Sequence, residues 1–147
     1  RPVADDVEAV AHLHADLLIA RPVVDRLFAD QVPPVRGMPE QLAQVFVNLF
    51  TNACHALPER GGHLKVSTTV SPEGRVMVLV EDNGHGIAVE HLGSIFTPFF
   101  TTKVDGRGTG LGLSIVRNIM DNHSADIRAE KSAEGGARFV LTFPAGM

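Results

Sequence analysis

The stretch PEQLAQVFVNLFTNACHAL, residues 39–57, carries two faces suited to different surroundings. Leu42, Val45, Phe46, Leu49, Phe50, Ala53 and Leu57 recur at helical spacing and form one apolar stripe. Pro39 suits a first helical turn, where no backbone N–H is needed, and Pro58 and Gly61 follow the last apolar position. The spacing therefore predicts an amphipathic helix from Pro39 to near Pro58. At about 100° per residue, Gln44, Asn48, Asn52 and His55 gather on the side opposite the stripe. A solvated face is the commonest use of such a ridge. Asparagine is a mediocre helix former, however, and Glu, Lys or Arg serve a surface better. Its neutral amide oxygen can also ligate a hard cation without adding charge beside phosphates.

On either side of this helix the pattern changes period. HLKVSTTV (63–70) and RVMVLVED (75–82), separated by SPEG, read as an antiparallel strand pair. ADIRAEKS (125–132) and ARFVLTF (137–143), separated by AEGG, read as another. Upstream, residues 5–19 have helical apolar spacing and RPVVDRLFAD (21–30) reads as a short extended segment before the VPPV break. A further helix runs from about Gly110 to Asn122. Burying both kinds of apolar face gives an α+β fold: a two-layer α/β sandwich with a mixed, mostly antiparallel sheet and helices packed on one face.

Bulk properties narrow the class. The 147 residues, 44% of them hydrophobic, fit a single domain spanning 1–147. A formal charge of -4, a pI near 5.9 and the absence of any basic run argue against nucleic acid as a partner. Cys54 is the single cysteine, and no apolar run is long enough to span a bilayer, so a cytoplasmic setting is the default. The chain opens on Arg1 and is read as a piece of a longer polypeptide, with a membrane-bound parent open.

Two further stretches point to a ligand. In EDNGHGI (81–87) a carboxylate, Asp82, stands at the exit of an apolar strand, where it can accept a hydrogen bond from an exocyclic amine. Gly84 and Gly86 read as turn residues that also let a flat ring approach the backbone. In TTKVDGRGTGLGLSIV (101–116) four glycines, Gly106, Gly108, Gly110 and Gly112, occupy seven positions and then give way to an apolar helical run. Such looseness marks a backbone that approaches something closely, and a phosphate chain before a helix N-terminus fits it.

Taken in order, QVFVNLFTNA (44–53), EDNGHGI (81–87), IFTPFFTTK (95–103) and GRGTGLGLSIV (106–116) resemble the four boxes of the ATP-binding catalytic domain of sensor histidine kinases. The likeness runs from about Met38 to Phe143, and it implies the Bergerat sandwich shared with DNA gyrase and mismatch-repair ATPases. It further implies that Asp82 binds the adenine amine in a pocket formed with Gly84, Gly86 and Ile87. Asn52 would ligate Mg2+, with Asn48 and His55 near the phosphates of ATP. A lid from about Ser94 to Gly108 would be anchored by Phe96, Phe99 and Phe100. Thr102, Lys103 and Arg107 would lie beside the nucleotide on the lid, while Gly108, Thr109, Gly110, Leu111 and Gly112 would lead the next helix to the phosphates.

Departures from the family pattern are also legible. His55 stands where many members carry Lys or Arg, HSA (123–125) where many read His-Gly-Gly, and Ala137 in place of a common threonine. Asn48 stands where the related ATPases place the glutamate that activates water, so rapid hydrolysis is not expected. None of the seven histidines is followed by Glu or Asp, as the phosphoacceptor histidine typically is. The resemblance thus implies a protein histidine kinase catalytic domain without nucleophile or base of its own. Its partners would be a histidine-bearing helical hairpin domain of the same parent protein and, indirectly, a response-regulator receiver domain in a two-component system. The alternative is a nucleotide-binding regulatory module without phosphotransfer.

Overall fold

The computed structural model describes residues 23–27, 37–57, 61–97, 112–133 and 135–144; for 23–27, Pro39, Cys54 and His55 the description covers the backbone. The order of elements is β1 (Val23–Leu27), α1 (Pro39–Ala56), β2 (His63–Val70), β3 (Val76–Asp82), a short 3-10 turn (Val89–His91), α2 (Gly112–Asn122), β4 (Asp126–Lys131) and β5 (Ala137–Phe143). Both expected strand pairs form at the expected places, and the 39–57 helix ends at Ala56. The helix expected at 5–19 lies outside the described residues.

One sheet holds the five described strands in the order β1-β2-β3-β5-β4. Only β1 pairs parallel, with β2; the other three pairings are antiparallel. A period of two sends alternate side chains to opposite faces. Leu64 and Val66 of β2, Val76, Val78 and Val80 of β3, Ile127 of β4, and Phe139, Leu141 and Phe143 of β5 are buried in one cluster. Val45, Phe46, Leu49 and Phe50 of α1 and Val116, Ile119 and Met120 of α2 join it. Both helices thus cover the same side of the sheet, which makes the fold the two-layer α+β sandwich read from the sequence.

On the other side, the register aligns Lys65, Glu81, Arg138 and Glu130 in a row across β2, β3, β5 and β4, so the charges alternate. Arg138 Nε meets Glu130 Oε1 at 2.7 Å and its Nη1 meets Glu81 Oε1 at 3.5 Å. Cross-strand opposite charges contribute roughly 0.2 to 1 kcal/mol each. Their larger consequence is register: the pairs lock β3 to β5 beside Asp82.

The end of α2 explains one departure seen in the sequence. The Ser124 N–H donates to Asp121 O and the Ala125 N–H to Met120 O, both close to 3 Å, which is a Schellman closure. The residue that closes it must take a left-handed backbone, and Ser124 does so with φ 54°. Glycine adopts this conformation freely, whereas an L side chain costs roughly 1 to 2 kcal/mol there. Ser124→Gly should therefore raise stability by about 0.5 to 1 kcal/mol after glycine's extra unfolded-state entropy is subtracted. A higher urea midpoint at unchanged m value would show it. Next to it, His123 Nε2 accepts the Met38 N–H at 3.0 Å while Nδ1 donates to Ile119 O at 2.8 Å. One neutral imidazole thus ties the entry of α1 to the exit of α2.

Candidate functional site

The site is assembled around the last residue of β3. The apolar alternation Val76, Val78, Val80 ends at Asp82, whose residue is only 2% exposed. Its Oδ1 accepts two backbone N–H groups, Gly84 at 2.9 Å and Ala137 at 3.2 Å. No described donor engages Oδ2. Burial pushes the carboxyl above its ordinary value, because charge is disfavoured away from water; the two N–H bonds and nearby His85 pull it back only in part. A buried carboxyl with one oxygen saturated and the other without a donor among the described residues is a directional acceptor for an amine.

The loop after Asp82 is stitched to its surroundings. Asn83 Oδ1 accepts the His63 N–H at 2.8 Å and its Nδ2 donates to Gly61 O at 2.9 Å, holding the turn before β2. The His85 N–H donates to Ala56 O at 3.2 Å, so the loop caps the C-terminus of α1. Gly84 lies so close to Ala56 that a methyl group there would overlap the Ala56 carbonyl. The sequence reading of Gly84 as a turn residue is thus refined: glycine is required by contact with α1, whereas Gly86 has the turn backbone, φ 76°. Ile87 is partly buried against the core.

Because the loop is fastened to Ala56, the polar ridge of α1 is held beside it. Asn48 sits at the junction of the helices: its Oδ1 accepts Gln44 Nε2 at 2.7 Å and its Nδ2 donates to Gly112 O at 3.2 Å. Gly112 is the first residue of α2. Asn48 therefore braces the start of the helix whose first turn was expected to meet phosphates. Asn52, one turn further along α1, is half-buried and has no hydrogen-bond partner among the described residues. The backbone of His55 belongs to the same helix.

Phe96 packs edge-on against Phe139, with centroids 6.4 Å apart, and the Arg117 guanidinium lies 5.8 Å above its ring. Arg117 also donates to Ile127 O at 3.1 Å. Phe96 is thereby fixed to the core at the start of the expected lid. Phe99, Thr102, Lys103, Arg107, Gly108, Thr109, Gly110 and Leu111 lie outside the described residues. Three contributors escaped the sequence reading: Arg117, the bridging His123, and Gly136, whose AEGG context signalled only a turn. Gly136 is packed on Asp82, so that a methyl there would overlap the Asp82 carbonyl oxygen and Oδ1. Among the described residues no group of three or more His, Cys, Asp or Glu could hold a metal, and no helix is long and apolar enough to cross a membrane.

Residues 37–147 match the family described as histidine kinase-, DNA gyrase B- and HSP90-like ATPases. The chain is 43% identical over 116 residues to the sensor histidine kinase ZraS of Escherichia coli O157:H7, covering 78% of this chain and 24% of that protein. It is 36% identical over 115 residues to sporulation kinase E of Bacillus subtilis, covering 78% of this chain and 15% of that one. The chain thus spans about a quarter or less of the sensor kinases it matches. Among solved structures, the catalytic domain of the histidine kinase ThkA in a nucleotide-free form superposes with a TM-score of 0.84 at 28% identity, over 99% of this chain and 93% of that one. The histidine kinase AdeS of Acinetobacter baumannii superposes at 0.74 with 28% identity, over 97% of this chain and 64% of that one.

Proposed function

Because the chain belongs to the histidine kinase-, DNA gyrase B- and HSP90-like ATPase family, as an ATP-binding catalytic domain of a sensor histidine kinase, we propose that it binds Mg-ATP and presents the γ-phosphate for transfer. The acceptor is a histidine on a helical hairpin domain of the same parent protein, which in turn supplies a response-regulator receiver domain. In this reading the chain works as the cytoplasmic portion of a sensor.

The observation that carries the reading is the state of Asp82. One oxygen is held by two backbone amides and the other meets no described donor, at the end of a buried strand. The 6-amine of adenine is the matching donor. Support for the metal comes from Asn52, a neutral oxygen donor without a described partner on the helix capped by the adenine loop. A single carboxamide suits Mg2+, which prefers phosphate oxygens and water to an all-protein cage. When bound, Mg2+ would neutralise negative charge on the phosphate chain. Asn52 would hold it, Asn48 keeps the first turn of α2 in place, and the N-terminal dipole of that helix favours the phosphates. With Asn48 lacking useful basicity, this chain's residues hold and orient the nucleotide, and water is not activated in competition with the acceptor.

Titration with a labelled ATP, with and without Mg2+ and against GTP, tests the reading. Tighter binding with Mg2+ and clear preference for ATP over GTP are the expected results. Equal affinity for the two bases would overturn the assignment of Asp82.

A further inference from the structure

The turn between β4 and β5 reaches the same carboxylate from the side opposite the EDNGHGI loop. Ser132 N–H donates to Gly136 O at 2.8 Å and Gly135 N–H to Ser132 O at 3.0 Å, so the turn folds on itself. Gly135 adopts φ 95°, and its carbonyl oxygen lies 3.1 Å from where a side chain of Gly86 would begin, tighter than an ordinary van der Waals contact. Gly136 lies directly on Asp82, and the next residue, Ala137, supplies the second N–H to Oδ1. The ion pair from Arg138 to Glu81 fastens the same two strands one residue further on. Asp82 is therefore clamped: Gly84 holds Oδ1 from one loop, Ala137 holds it from the other, and the absent side chain at 136 is what allows the second approach.

We infer that Gly136 is a positioning residue for base selection: by letting Ala137 N–H reach Oδ1, it keeps the carboxyl turned so that Oδ2 faces the exocyclic amine of the bound base. The inference rests on the nucleotide reading given above. A β-carbon at 136 would overlap both the Asp82 carbonyl oxygen and Oδ1, so the backbone at the start of β5 must move away from Asp82, at a place where packed neighbours yield little. That movement draws the Ala137 N–H away from Oδ1, and the carboxyl released from it turns and misdirects Oδ2. A hydrogen-bonding site loses discrimination when its polar group is misaligned, while contacts made elsewhere on the ligand persist.

The test compares ATP with inosine triphosphate, which carries an oxygen where adenine carries the amine, by competition against a fluorescent nucleotide. The unaltered chain should prefer ATP by about 10-fold or more. In Gly136→Ala, ATP affinity should fall by about 10-fold while that for inosine triphosphate changes by less than about 2-fold, so the preference collapses. Gly93→Ala, at a position with no atom within 4 Å of an added methyl, should leave both affinities unchanged. Should Gly136→Ala fail to fold, replacing the Gly136–Ala137 peptide bond with an ester removes the Ala137 N–H and weakens Gly136 O as acceptor of the Ser132 N–H without adding a side chain, and the preference should drop by about 3- to 10-fold. A preference that survives in the folded alanine variant or in the ester chain overturns the role of Gly136 and leaves the nucleotide reading standing. No preference in the unaltered chain overturns both.

Discussion

Asp82→Asn should weaken ATP binding by about 10- to 100-fold and at the same time make the empty domain more stable. The loss follows from polarity: Asn can keep Oδ1 as acceptor for the Gly84 and Ala137 N–H groups, but its NH2 then faces the adenine amine, donor against donor. Hydrogen bonds to a charged partner contribute roughly 1.5 to 3 kcal/mol, which sets the fold-change. The gain follows from burial, which raises the Asp82 pKa above 3.8 in the folded chain. Between that ordinary value and the raised one, the folded state binds more protons than the unfolded state, so stability falls as pH rises through the window. Above it the desolvated charge is carried in full. The advantage of Asp82→Asn should be largest near neutral pH and shrink as pH falls toward 4. Urea midpoints of both chains across this range measure it, and a variant less stable than the parent at neutral pH would contradict the account of the buried carboxyl.

Asn52→Ala should leave the fold intact and remove phosphotransfer. Its carboxamide has no described partner, so truncation breaks no described hydrogen bond, and alanine is the better helix former by several tenths of a kcal/mol. What disappears is the oxygen proposed to hold Mg2+. Affinity measured in a chelator should be unchanged, the increase on adding Mg2+ should vanish, and transfer to the hairpin should slow by about 100-fold or more, as when a preorganised electrostatic contact is deleted. An unchanged Mg2+ dependence would exclude Asn52 as the ligand.

These residues show which features a sequence exposes. The strands and α1 were legible because their burial is periodic: Val76, Val78 and Val80 face the helices at period two, and Leu42, Val45, Phe46 and Leu49 at helical spacing. The turn strings SPEG and AEGG marked the hairpins because turn chemistry is local. Asp82 stood out as a carboxylate ending an apolar run. Long-range contact was not legible. Gly84 looked like a turn residue, yet its constraint is Ala56, 28 positions earlier in the chain. Gly136 looked like half of a turn, yet it rests on a carboxylate in another hairpin. His123 was visible only as part of a variant family string, while its role is to join two helix ends separated by 85 residues. The family resemblance placed Asn48 near phosphates; the structure adds that its amide braces Gly112, a relation across α1 and α2 that no spacing rule within one helix reveals.

The central claim is that this domain holds and presents Mg-ATP while the nucleophile resides on another domain. Incubating the chain with ATP labelled at the γ-phosphate, alone and with the hairpin domain of its own parent, tests it most directly. The account predicts label on the hairpin histidine, none on this chain, and little free phosphate without the hairpin. Label on one of this chain's own seven histidines, or rapid phosphate release in the absence of the hairpin, would contradict it.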